Sequence, residues 1–265
     1  ARLQAYRNQQ VDIIAPGTGD LGAIKADPVL NAQLLTYNGT CTFGVMFHHQ
    51  KAPFTDHKVR EAFAMAIDRS GLINDLLGGN GIPTLQWIVN GQPGYDPAET
   101  RWGYNPVQAQ QALADSTYHN AQSLPVIKAT FSDTPINVAR WTWLAQQWQD
   151  VLGVTVVLEP LPLQEFNARV GNPATQPQMY YAGWCSDYPD PSNWLSAYWS
   201  STSFFAQRYG YNNPALDALI SQADSETDPV TRINLYQQAQ TLLIDGAPAA
   251  FLYNSVQNYL VKPWV

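Results

Sequence analysis

Residues 124–158 carry the pattern that most restricts the fold. A short run of strand formers ends at Phe131, Pro135 opens an apolar-periodic stretch lasting to Leu152, and Gly153 precedes a second run from Val154 to Leu158. Proline suits the first helical position and glycine the residue beyond a helix end, so the spacing predicts strand, helix and strand over 124–131, 135–152 and 154–158. Two strands separated by a whole helix are joined by a crossover rather than a hairpin, which favours a parallel pair. The chain is therefore expected to be α/β, with helices layered on a sheet.

The remaining signals extend that core. Residues 11–14 read as a short strand before the breaker string Pro16-Gly17-Thr18-Gly19-Asp20, and 41–47 as a buried strand. Asp56 stands where a helix cap belongs, ahead of Val59, Phe63, Ala66, Ile67 and Ile73, predicting one amphipathic helix that ends at Gly78-Gly79. From 79 to 105 the composition turns to Gly, Pro, Trp and Asn. This predicts a long irregular loop packed through its own aromatics, Trp87, Tyr95, Trp102 and Tyr104. Asn105-Pro106, Asn213-Pro214 and Asp228-Pro229 each place a cap before a proline and so start helices, the last two over 213–223 and 228–245. Strands are expected over 178–184 and 249–261. No repeat or linker divides the chain, which reads as one compact unit with loose ends.

Charge narrows the partners. The chain has 14 Lys and Arg against 21 Asp and Glu, a net charge of −7, which argues against nucleic acid or an anionic membrane surface. With 12% aromatic and only 13% charged residues, the composition is that of a packed domain rather than a disordered chain. No apolar run approaches the ~18 residues of a membrane span.

Few motifs carry specific chemistry. His48 and His49 are neighbours on a presumed strand and point to opposite faces, and neither His57 nor His119 has a ligand-spaced partner, so no metal site is expected. Cys41 and Cys185 can form one bridge or none; either burial as small apolar groups or a disulfide fits the composition. Asp187 and Asp190 lie in Trp184-Cys185-Ser186-Asp187-Tyr188-Pro189-Asp190-Pro191. Asp190 reads as the cap of the helix that Pro191 begins, leaving Asp187 alone among aromatics. A desolvated carboxylate of that kind suits an ammonium ligand, with rings excluding competing water; the plain alternative is loop structure. Trp141 and Trp148 share a helix face and read as core, while Trp143 lies off it. No G-x-S-x-G, H-E-x-x-H, G-x-x-x-x-G-K-[ST] or G-x-G-x-x-G pattern is present.

Four stretches resemble the extracytoplasmic oligopeptide- and dipeptide-binding proteins of bacterial ABC importers. They are Ala52-Pro53-Phe54-Thr55-Asp56-His57-Lys58-Val59-Arg60-Glu61-Ala62-Phe63 with Asp68-Arg69; Leu152-Gly153-Val154-Thr155-Val156 before Glu159; Gly183-Trp184-Cys185-Ser186-Asp187-Tyr188; and Leu260-Val261-Lys262-Pro263-Trp264-Val265. The resemblance implies a lobe of the type II periplasmic-binding-protein fold, a mixed sheet flanked by helices. It implies that 41–261 form the second, ligand-binding lobe, 1–40 a remnant of the first lobe and hinge, and 262–265 the start of the return. On that footing the chain is a lobe or processed fragment of a longer receptor, without the secretion signal and most of the first lobe.

The implied function is a non-enzymatic receptor, without cofactor or metal, that delivers peptides to a membrane permease from a periplasmic or extracytoplasmic, membrane-tethered position. Asp187 takes the family position that pairs with the peptide's α-amino group, Trp184 and Tyr188 line the adjoining pocket, and Cys41 and Cys185 match a bridged pair. Strand edges near Tyr181 and over 251–254, including Tyr253 and Asn254, would pair with the peptide backbone. The sequence also departs from the family: Tyr181 stands where some relatives have a carboxylate-binding arginine, Asn137 replaces a histidine and Leu163 a tryptophan. Arg140, one turn beyond Asn137, offers a replacement cation. An oligosaccharide receptor of the same fold is the competing expectation, and an acidic hydrolase using Asp187 with Glu165 or Asp133 is a more distant one.

Overall fold

A computed structural model describes all 265 residues. Seven strands form one sheet: β1 (Ile13–Ile14), β2 (Leu34–Phe47), β3 (Ile82–Pro83), β4 (Ile127–Ser132), β5 (Val156–Leu161), β6 (Met179–Cys185) and β7 (Ala249–Val261). Their order is β1-β7-β2-β6-β4-β5, with β3 against β7. The expected crossover is present: Pro135–Leu152 is a helix that stops at left-handed Gly153, and β4 and β5 are parallel. β6 extends this parallel part through Met179 beside Ala129, whereas β2 pairs with both β6 and β7 antiparallel. The sheet is mixed and flanked by helices, as expected.

Alternation along the strands divides the interior. Val45, Phe47, Ala250 and Leu252 point to a core with Phe63, Trp141 and Trp148. Met46, Phe251 and Tyr180 point to the opposite core, which is built on Trp87, Trp194, Tyr198, Trp199 and Tyr236. Of the aromatics expected to pack the loop after residue 79, Trp87 is fully buried in the second core, with its Nε1 donating to the Trp194 carbonyl at 3.1 Å, and Tyr95 and Trp102 pack against that core, whereas Tyr104 is exposed. Asn105, Asn213 and Asp228 cap their proline-started helices through side-chain oxygens, and Asp190 does the same for Pro191–Trp194. Each cap satisfies an N–H that has no partner inside the helix. No helix is long and apolar enough to cross a membrane.

Two boundaries differ from expectation. The helix predicted from Asp56 to Gly78 is broken into His57–Met65 and Arg69–Leu77, because Asp68 accepts from the Gly71 N–H and caps the second helix afresh. β2 begins at Leu34 rather than Cys41. Its first residues pair with 256–260 of β7 as an exposed ribbon, and a register shift separates that ribbon from the pairing that resumes at Thr42 and Asn254. A small third core of Tyr6, Ile14, Ile24, Leu30 and Leu260 closes the ribbon's outer end.

Candidate functional site

β6 has a strand partner along its whole length on one side only. The Ser186 N–H donates to Thr40 and the His48 N–H to Gln178, both at 2.9 Å, so the even-numbered residues of β6 direct their backbone groups at β2. By the alternation of an antiparallel ladder, Tyr181, Gly183 and Cys185 direct theirs the other way. On that side β4 meets β6 only at Met179, and the edge from Tyr181 onward has no strand partner. Cys185 lies directly opposite Cys41, and the two are bridged. Gly183 is dictated by packing, since a Cβ there would fall 2.3 Å from the Phe43 ring and 2.8 Å from the Thr42 carbonyl.

One face of this edge carries a connected polar and aromatic group. Phe43 stacks on Tyr181 with centroids 5.6 Å apart, and the Tyr181 and Tyr253 hydroxyls are 2.6 Å apart. The Arg140 guanidinium lies 4.0 Å from the centre of the Tyr181 ring and donates to Asn137 Oδ1 at 2.5 Å. Asn137 in turn donates to Ser132 Oγ at 2.7 Å. Burial, reinforced by Tyr253, pushes the Tyr181 phenol well above its usual range, so it stays a neutral hydroxyl.

The loop after β6 carries the second group. Asn193, only 2% exposed, accepts from Trp184 Nε1 at 2.9 Å and from the Asp187 N–H at 3.2 Å, and its own amide donates to Asp187 Oδ2 at 3.4 Å. Asp187 is thereby fixed in direction, but it is exposed, as is Tyr188. The expected desolvated carboxylate is not found in this chain: Asp187, Tyr188 and Pro189 are all exposed. Asp190 is both cap and ion pair. Arg232 holds it through two hydrogen bonds of 2.6 and 2.9 Å, and that pairing lowers its pKa to about 2.

Other expected positions fall differently. Leu163 opens the helix Leu163–Gly171 and is 56% exposed. Residues 251–254 offer no free edge: β2 pairs with one side, β3 reaches Tyr253 and Asn254 on the other, and the Thr84 N–H takes the Leu252 carbonyl. Asn254 is 1% exposed and its side chain is spent on Thr42 Oγ1 and the Asn90 N–H. Only the Tyr253 side chain joins the group at β6. Asn193, Phe43 and Ser132 went unread in the sequence because a single polar residue inside a one-turn helix or at a strand end, and one ring on a buried strand, carry no periodic signature. The larger hollows, such as one of about 360 Å³ lined by Asp68, Thr84, Tyr95, Glu99 and Tyr104, include neither Asp187 nor Arg140.

A family model described as bacterial extracellular solute-binding proteins, family 5 middle, matches residues 1–206. The chain is 31% identical over 274 residues to the dipeptide-binding protein DppE of Bacillus subtilis (strain 168), covering 97% of this chain and 49% of that protein. It is 29% identical over 265 residues to heme-binding protein A of Haemophilus influenzae, covering 96% and 46%. The unliganded open form of the periplasmic murein tripeptide-binding protein MppA superposes with a TM-score of 0.89 at 24% identity over 99% of this chain and 51% of that one. That likeness shows the fold, a type II periplasmic-binding-protein lobe. The chain spans about half the length of the curated relatives it matches.

Proposed function

Because this chain belongs to family 5 of the bacterial extracellular solute-binding proteins, we propose that it is the ligand-holding lobe of a receptor that captures short peptides for an ABC importer. The curated relatives named above are binding proteins. The observation that carries the peptide reading is the unpaired edge of β6 with a fixed, exposed carboxylate at its end. Peptides of differing sequence share only a backbone and termini, so a receptor indifferent to side chains pairs the backbone as an added strand and fixes a terminus by charge. Tyr181, Gly183 and Cys185 supply the backbone partners, Asp187 takes the α-ammonium group, and Trp184 with Tyr188 borders a side-chain pocket.

In this reading residues 1–40 belong to the hinge and first lobe, 41–261 to the second lobe, and 262–265 to the returning strand. Closure of the first lobe over β6 excludes water from Asp187 and supplies the low-dielectric setting that this lobe alone lacks. The receptor works in the periplasm or another extracytoplasmic space, tethered to the membrane beside its permease.

Titration calorimetry on the full-length protein tests the proposal with a tripeptide and its N-acetyl form. Loss of the ammonium, or Asp187→Asn, is expected to weaken binding roughly 10- to 150-fold, the scale of one charge-assisted contact. Equal affinity for the free and acetylated peptides sinks the assignment. An oligosaccharide receptor would tolerate Asp187→Asn with only a modest loss.

A further inference from the structure

The hollow of about 360 Å³ lies beside β3, and both β7 and β2 stand between it and β6. Its walls are the start of the helix Arg69–Leu77, the residues after β3 and the loop that ends at Tyr104. Tyr104 is 49% exposed and Tyr95 is half-buried, and both rings line it. Charge in the hollow is balanced. Two carboxylates line it and each has a guanidinium beside it: Asp68 has Arg69, and Glu99 takes Arg101 Nε at 2.9 and 3.1 Å. An occupant therefore has no counter-charge to supply. The uncharged groups, by contrast, are unspent. The Tyr95 and Tyr104 hydroxyls and Ser70 Oγ bond to nothing in the protein and are open to solvent. The Leu85 N–H and C=O pair with no other backbone group, and Asp68 uses only Oδ1, on the Gly71 N–H. Donors and acceptors are thus mixed among the apolar surfaces of Pro83, Leu85, Pro97 and the two phenol rings. A hydroxyl donates and accepts at one atom, and a sugar ring adds an apolar C–H face that lies well against an aromatic ring. The volume stands at the low end of small-molecule sites, which suits one or two rings.

We propose that this hollow is a second ligand site, one that takes an uncharged sugar ring. Tyr95 and Tyr104 carry the C–H face, while Asp68 Oδ2, Ser70 Oγ and the Leu85 backbone meet the ring hydroxyls. The site shares no residue with the β6 edge, so the inference stands apart from the peptide reading, and a sugar held here leaves that edge free. Two sources offer such a ring: a free monosaccharide and one unit of a longer glycan.

The experiment titrates the full-length protein with methyl glucoside, maltose and tetramethylammonium, following backbone amide shifts by NMR in wild type, Tyr104→Ala and Ser70→Trp. Both positions are exposed, and urea midpoints check that the variants fold. In wild type the sugars are expected to bind with a dissociation constant of about 1–10 mM and to shift the amides of Ser70, Leu85 and Tyr104. That map needs no variant. Tyr104→Ala is expected to weaken binding about 5- to 20-fold, and Ser70→Trp to abolish it by filling the hollow. Binding of methyl glucoside assigns a free sugar; binding of maltose alone assigns a unit of a glycan. A saturating tripeptide is expected to leave the sugar affinity unchanged. The proposal is wrong if neither sugar binds up to about 50 mM, or if only tetramethylammonium does. It is equally wrong if the shifts fall on residues 181–187, if the tripeptide displaces the sugar, or if folded Ser70→Trp binds as wild type does.

Discussion

Single side chains here do two jobs, and their titration separates them. Asp190 caps Pro191–Trp194 and pairs with Arg232, so Asp190→Ala is expected to cost about 1–2 kcal/mol by denaturant unfolding at neutral pH, the sum of a cap and a partly exposed ion pair. Its folded pKa of about 2 lies below the unfolded value, so that stability is complete above about pH 4 and is lost as pH falls towards 2; the gap between wild type and variant closes over that window. The histidines after β2 act earlier. Burial, aided by Lys51, lowers His48 to about 4, and burial, aided by Arg60, lowers His49 to about 3. The unfolded chain therefore takes up protons first as pH drops through 6.5, and stability declines from there until the folded values are reached. Urea midpoints measured from pH 7 to 4 should fall in wild type and fall less steeply in His49→Gln; a flat wild-type profile would contradict this account. Asp187 shows where reading single residues stops: its place in the chain is evident, but its exposure and its hold on Asn193 are set by the fold of the loop.

At the level of strands and helices, packing against a glycine governs the β6 edge. Gly183→Ala drives a methyl into Phe43, which is stacked on Tyr181. Overpacking of this kind is expected to cost about 1–3 kcal/mol and to weaken ligand binding together with stability. Unchanged binding and an unchanged midpoint would show that the ring simply moves aside. The elements most legible in the sequence are those with physical punctuation at both ends, such as the helix Pro135–Leu152 between its proline and Gly153. β7 was equally legible over Ala249–Val261 because its inner half is continuously apolar. Elements whose ends lack such marks were not. The outer half of β2 is exposed on both faces, so no alternation announces it, and Asp68 looks like one more polar residue in a helix until its carboxylate is seen capping Gly71. The pairing of β6 with β2 on one side and almost nothing on the other is a tertiary fact that no local pattern carries.

For the whole molecule, the bridge between Cys41 and Cys185 closes a sequence separation of 144 residues. Replacing both cysteines with serine is expected to cost about 2–5 kcal/mol, read as a lower urea midpoint with a steeper slope, because the unfolded chain loses its crosslink and exposes more surface. The chain by itself presents one wall of the proposed cleft, so calorimetry should find weak or undetectable peptide binding; submicromolar affinity would refute the two-wall picture. The ribbon of 34–38 and 256–260 has a mechanical consequence. Its hydrogen bonds oppose stretching and slipping, since either would break the ladder, but a two-stranded pair tolerates a wide range of twist. It behaves as a torsion bar: whatever body rides on its outer end can swivel cheaply and can hardly slide. The sulfur clamp at its root fastens β2 to β6, the strand on which a guest would lie.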